Sequence, residues 1–190
     1  ALRNSLFAIL QNRADEISPR MRDLIIGLYE DWQRLDERIE IITGEIEVIS
    51  KTEANCQRLM SVPGIGPIIS TAVVAAIGTG EAFGRGRDFE AWLGLVPRQY
   101  STGGRPILGR ISKRGSKYLR TLFIQAAHVI LMRPHNWQKF SFGPWLTEAA
   151  TRLHRNKLAT ALANKLARIA WSVLANGEPF DANRNKIAAN

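Results

Sequence analysis

A chain of 190 residues, 45% of them hydrophobic, is long enough to bury a core and too apolar to be disordered throughout. Its formal charge of +9 points to a polyanionic partner. A single cysteine excludes an internal disulfide framework and no apolar run could cross a bilayer, so the composition suits a reducing, cytoplasmic setting with no membrane partner.

The charge is unevenly placed. Residues 1–90 carry 10 Lys/Arg against 14 Asp/Glu, whereas residues 91–190 carry 16 against 3. No acidic residue lies between Glu90 and Glu148. The two halves therefore do different work, and the basic one is the second.

In chain order, Ser18 followed by Pro19 is a helix start signal. Beyond it Met21, Ile25, Leu28, Trp32, Leu35, Ile39, Ile42, Ile46 and Ile49 alternate at spacings of four and three. That is a heptad seam, which predicts a helical coiled-coil arm over residues 1–58. The seam suits either a homo-oligomer or an intramolecular hairpin with residues 1–18. Cys56 falls among apolar helical positions and reads as a small buried hydrophobe.

The stretch "LMSVPGIGPIISTAVVAAIG", residues 59–78, breaks one helix at Pro-Gly-Ile-Gly-Pro and starts another. It has the helix-hairpin-helix pattern, in which amides around Gly64 and Gly66 would hold a nucleic-acid phosphate. The plainer alternative is a tight turn whose second helix packs in the core. A glycine-rich segment then leads to a short helix whose Phe89, Trp92 and Leu93 read as core rather than as base-stacking platforms.

Residues 98–120, "RQYSTGGRPILGRISKRGSKYLR", hold seven basic residues, no acidic ones and five glycines or prolines. They predict an irregular basic glycine-rich loop, with a short β-hairpin as an option, mobile or held away from a productive geometry in the absence of DNA. Arg98, Arg105, Arg110, Lys113 and Arg114 would surround a bound phosphate, with Lys117 and Arg120 at the start of the next helix. Gly103 and Gly104 would let the backbone approach a strand. Ser116 should cap that next helix, whose apolar face is Leu119, Leu122, Phe123, Ala126, Ala127 and Ile130. After an aromatic connection, a last helix lines up Leu158, Leu162, Leu166, Ile169 and Val173, with Lys157, Lys165 and Arg168 largely off that face. The expected architecture is mainly α: the arm, a compact helical domain over residues 59–180, and a frayed tail over 181–190.

Several chemistries are not encoded. His128, His135 and His154 have no metal-site spacing, no phosphate-binding G-x-x-x-x-G-K-[ST] loop occurs, and Ser101 is not in a G-x-S-x-G elbow. Residues 91–147 lack the carboxylates of a two-metal nuclease. On composition alone Ser101 could be an ordinary turn serine. Tyr100 is its rival as a nucleophile, and Thr102, Ser112 and Ser116 are weaker ones.

The run from Leu59 to Arg120, with "LDERIE" at 35–40 and "LANKLARIAW" at 162–171, resembles the C-terminal transposase domain of a bacterial insertion-sequence family, the bridge-RNA-guided serine recombinases. The resemblance covers roughly residues 20–180 and is most specific over 59–120. It implies DNA and a guide RNA as partners, a nucleoid-associated bacterial protein, and DNA transposition by strand cleavage and rejoining. Placing the family's Ser-Thr-Gly-Gly motif here makes Ser101 the nucleophile. The resemblance also implies an N-terminal RuvC-like domain whose four acids hold Mg2+, joined through the coiled-coil arm. Those acids are missing from this sequence, so the chain reads as a fragment with no cofactor of its own and doubtful activity alone. A serine hydroxyl is a weak nucleophile that needs a base or a metal. Two other readings stay open: a non-catalytic nucleic-acid-binding module, and a helical oligomerisation scaffold.

Overall fold

The structure is a computed structural model that describes residues 2–12, 16–102 and 105–182. It is mainly helical, with one two-stranded sheet among the described residues. The chain divides into two compact units, residues 1–45 and 46–190.

The first unit holds α1 (Leu2–Asn12) and most of α2 (Pro19–Thr52). The Ser18 hydroxyl accepts a hydrogen bond from the Met21 amide at 3.3 Å, so the start signal works as the sequence indicates. Leu10 and Tyr29 are buried in this unit, and Arg22 donates to the Leu10 carbonyl oxygen at 3.4 Å. The seam faces outward: Met21, Leu28, Trp32, Leu35, Ile39 and Ile42 are all exposed, Ile39 by 60%. These six positions stay uncovered among the described residues, while Ile25 and Ile46 are half-buried.

In the second unit, α3 (Ala54–Met60) and α4 (Pro67–Ile77) pack on each other across the glycine turn. Then come α5 (Gly86–Trp92), β1 (Pro97–Thr102), β2 (Arg105–Ile111), α6 (Lys117–Leu131), a 3-10 turn (Pro134–Lys139), α7 (Gly143–Arg152) and α8 (Arg155–Asn176). Cys56 is buried, and burial pushes its thiol pKa up, as a small core hydrophobe requires.

The core is organised by α8, which packs on α3, α5, α6 and α7. Leu158, Leu162 and Leu166 supply bulk, while Ala159, Ala163, Ala167 and Ala170 let neighbouring helices come close. The α6 face read from sequence, Leu119 to Ile130, is buried throughout. Phe89 stacks on Trp92 and meets Phe123 edge-on, with ring centroids 6.1 Å apart in both pairs. Ser116 caps α6 by accepting from the Leu119 amide at 3.3 Å.

The expectation of an irregular loop after residue 97 needs correction. The segment forms an antiparallel hairpin in which Gln99 faces Leu108, Tyr100 faces Ile107, Ser101 faces Pro106 and Thr102 faces Arg105. Tyr and Ile favour extended backbone, and that preference outweighs the punctuation by glycine. Gly109 falls where the register shifts, which is how an interior glycine becomes a bulge instead of a break. Gly103 and Gly104 lie outside the described residues, as do residues 183–190 of the tail.

Candidate nucleic-acid interface

The hairpin pairs with itself and exposes both strands: residues 97–100 and 107–110 are all accessible. What fixes it is its base. Ser112 donates its amide to the Val96 carbonyl at 2.8 Å, and Lys113 donates to the Gly94 carbonyl at 3.0 Å. Gly94 and Gly115 both have positive φ, +73° and +89°. A Cβ on Gly94 would lie 2.0 Å from the Arg114 carbonyl oxygen, and one on Gly115 would lie 1.8 Å from that of Trp92. The two backbone segments thus touch where only glycine fits.

Arg98 is exposed and donates Nη2 to the Ser112 carbonyl at 3.3 Å, which holds it at the hairpin base. Arg110, Lys113, Arg114 and Lys117 are exposed. Lys113 is the one non-glycine residue with positive φ among those described, at +56°. Arg120 departs from its expected role. It is buried, 9% exposed, and donates Nη1 to the Leu93 carbonyl at 2.9 Å. Its helical position, on the α6 face between Leu119 and Phe123, turns it inward, so it braces the hairpin base and does not reach a phosphate. The backbone of Ser101 lies in β1, and the side chains of Ser101 and Arg105 lie outside what the structure describes.

The glycine turn is a separate surface. Gly64 has φ +82°, and a Cβ there would stand 3.1 Å from Ile130 Cδ1, so this glycine is explained by packing on α6. Gly66 differs: its φ is −109° and a Cβ would meet nothing within 4 Å. No side chain caps α4, and Pro67 starts it, so its first-turn amides have neither a capping side chain nor an intrahelical acceptor. Because Gly64 sits against Ala126 and Ile130, the turn lies about 14–20 Å along α6 from Lys117, beside the hairpin base, at 1.5 Å per residue. The structure does not bring them into one site.

A charged cluster that the sequence reading passed over lies along α8. Arg168 Nε meets Glu90 at 3.1 Å across the α5–α8 contact, and Lys165 sits 4.8 Å from the centre of the Trp145 ring. Burial, and then Arg168, pull the Lys165 pKa down. A Glu at position 90 with a basic residue on α8 is a helix-to-helix pairing that a single sequence cannot align. Among the described residues no group of three or more His, Cys, Asp or Glu is arranged to hold a metal ion. None of the described helices is long and apolar enough to cross a membrane.

With this geometry in place, comparison with known proteins decides the family. Residues 56–141, from α3 through the hairpin, α6 and the 3-10 turn, match the profile described as the transposase IS116/IS110/IS902 family. This stretch belongs to that transposase family. The transposase segment has relatives along most of the chain. One is the transposase for insertion sequence element IS1328 of Yersinia enterocolitica, 42% identical over 87% of this chain and 49% of the relative. A probable family 20 transposase of Pseudomonas aeruginosa is 45% identical over 81% of this chain and 45% of its own length. The transposase for insertion sequence element IS1111A of Coxiella burnetii is 38% identical over 90% of this chain and 47% of its length. The chain spans about half the length of these curated relatives.

Proposed function

We propose that this chain is the DNA-binding, serine-bearing part of an insertion-sequence transposase that acts in DNA transposition by cleaving and rejoining strands. The observation that carries this reading is the exposed basic hairpin within the family-matched segment, in a stretch of chain free of carboxylates. A stretch of chain without carboxylates adds no like-charge repulsion of its own to a bound strand, and Arg98, Arg110, Lys113, Arg114 and Lys117 supply counter-charge.

In this reading Ser101 attacks phosphorus, becoming esterified to one DNA end while the other leaves as a hydroxyl. The phosphoserine ester conserves the bond energy, so a DNA hydroxyl can later reverse the step and rejoin a strand. Acids for Mg2+ would come from sequence outside the described residues. The exposed seam of α2 supports self-association as a coiled coil. A guide RNA is a further partner on this reading, inherited from the resemblance.

The test is Ser101→Ala in the full-length transposase. It should abolish strand cleavage and the covalent protein–DNA adduct while the thermal unfolding curve stays unchanged. Normal recombination by that variant would reject Ser101 as the nucleophile. A purely binding role is favoured by one observation, the uncapped start of α4 with open space at Gly66. Salt-dependent DNA binding with no adduct on a suicide substrate would select it.

A further inference from the structure

Tyr100 is placed oddly for a residue in a charged hairpin. Its ring lies against the opposite strand, with Cε2 3.0 Å from where a Cβ on Gly109 would stand. Glycine at that position lets the ring come close to the backbone, the arrangement by which an aromatic covers a glycine in a β-ribbon. Most of the residue remains accessible, Tyr100 being 57% exposed, and its cross-strand partner Ile107 is 52% exposed. Among the described residues the hairpin's extensive contacts are between its own two strands. An apolar face without a core behind it, rimmed by Arg98 and Arg110 on the shifted register, is costly in water unless it meets something apolar and anionic at once. A nucleic-acid base attached to its phosphate has both properties.

We propose that the Tyr100–Ile107 face of the hairpin is a stacking platform for a DNA base displaced from its duplex. This rests on the DNA-binding reading above and deepens it. DNA is the occupant because the platform belongs to the same exposed, basic hairpin on which the DNA-binding reading rests, with Arg98 and Arg110 available to the phosphates on either side of a stacked base. A two-stranded ribbon also enters the major groove of B-form DNA, whereas the deep, narrow major groove of an RNA duplex excludes it. Tyr100 is then a positioning residue, and its hydroxyl has no chemical duty.

The experiment is a fluorescence titration of the 190-residue chain onto a DNA duplex with one bulged aminopurine, at several salt concentrations. Wild type should bind and shift the aminopurine signal as the base stacks. Tyr100→Phe should bind as wild type does. Tyr100→Ala should bind about 5- to 100-fold more weakly, with an unchanged slope of log affinity against log salt. Arg110→Ala should instead reduce that slope by about one. Leu108→Ala, on the opposite face by register, should match wild type.

Equal affinity of Tyr100→Ala and wild type would overturn the platform while leaving DNA binding intact, as would an equal loss in Leu108→Ala. Tighter, Tyr100-dependent binding to the same bulge in an RNA duplex would overturn DNA as the occupant. No salt-dependent binding of wild type to any duplex would remove the functional reading itself.

Discussion

Replacing Gly115 by alanine tests whether the base of the hairpin is as tightly built as its geometry states. Gly115 has φ +89°, and a Cβ there would fall 1.8 Å from the Trp92 carbonyl oxygen, a rigid backbone atom. Forcing an L-residue into the left-handed region costs about 1 kcal/mol. Relieving the overlap requires a backbone shift, worth about 1–3 kcal/mol in a packed region. The expected destabilisation of Gly115→Ala is therefore about 2–4 kcal/mol. With a urea slope of about 2 kcal/mol per molar, the unfolding midpoint should fall by roughly 1–2 M. The matched control is Gly66→Ala, at φ −109° with nothing within 4 Å of the new methyl. There the smaller unfolded-state entropy offsets a poorer N-cap, and stability should stay within about 1 kcal/mol of wild type. Equal midpoints for Gly115→Ala and wild type would refute the claim that the Trp92–Leu95 and Ser112–Gly115 backbones interlock.

Two further outcomes separate bracing from binding. Arg120→Met should destabilise the fold by about 1–3 kcal/mol, because the buried Leu93 carbonyl loses its donor. It should leave the salt slope of DNA binding unchanged, whereas a reduced slope with normal stability would return Arg120 to the phosphate contacts. Glu90 gives a pH signature. Burial raises its pKa, only partly offset by Arg168 and then Arg87. A carboxyl whose folded pKa exceeds its unfolded one favours the folded state most below the unfolded value, about 4.3, and that contribution is lost as pH rises through the folded pKa. Acidification from neutral pH should thus shift the stability difference between wild type and Glu90→Gln in favour of wild type. Urea midpoints of the two proteins that stay a constant distance apart across this range would contradict it.

How much of this was legible beforehand depends on whether a signal was local. The Ser18 and Ser116 starts, the buried stripe of α6 and the burial of Cys56 each follow from neighbours within a turn of helix, and each is as read. The alanines of α8 were missed because alanine at helical spacing looks neutral until another helix packs on it. Arg120 was misassigned because its charge class was weighed above its helical phase, although that phase put it beside Leu119 and Phe123. The hairpin stood only as an option beside an irregular loop because glycines were counted as loop markers, whereas Gly109 fills a bulge and Gly94 and Gly115 serve contacts twenty or more residues apart in sequence. Of the proposed contacts, the exposed lysines and arginines could be named from composition. The separation of Gly64 from the hairpin could not, since it depends on which end of α6 the turn abuts.

That separation gives α6 a role beyond filling the core. Its first turn lies beside the hairpin and its last beside the glycine turn, with a continuous, buried stripe fixing the fifteen residues between. The helix is in effect a ruler: the distance from the hairpin base to the glycine turn is dictated by a rod that neither stretches nor bends. Any drift in the number of residues between Lys117 and Ile130 would rotate one feature by about 100° per residue relative to the other as well as displacing it, so spacing and facing are set by the same count.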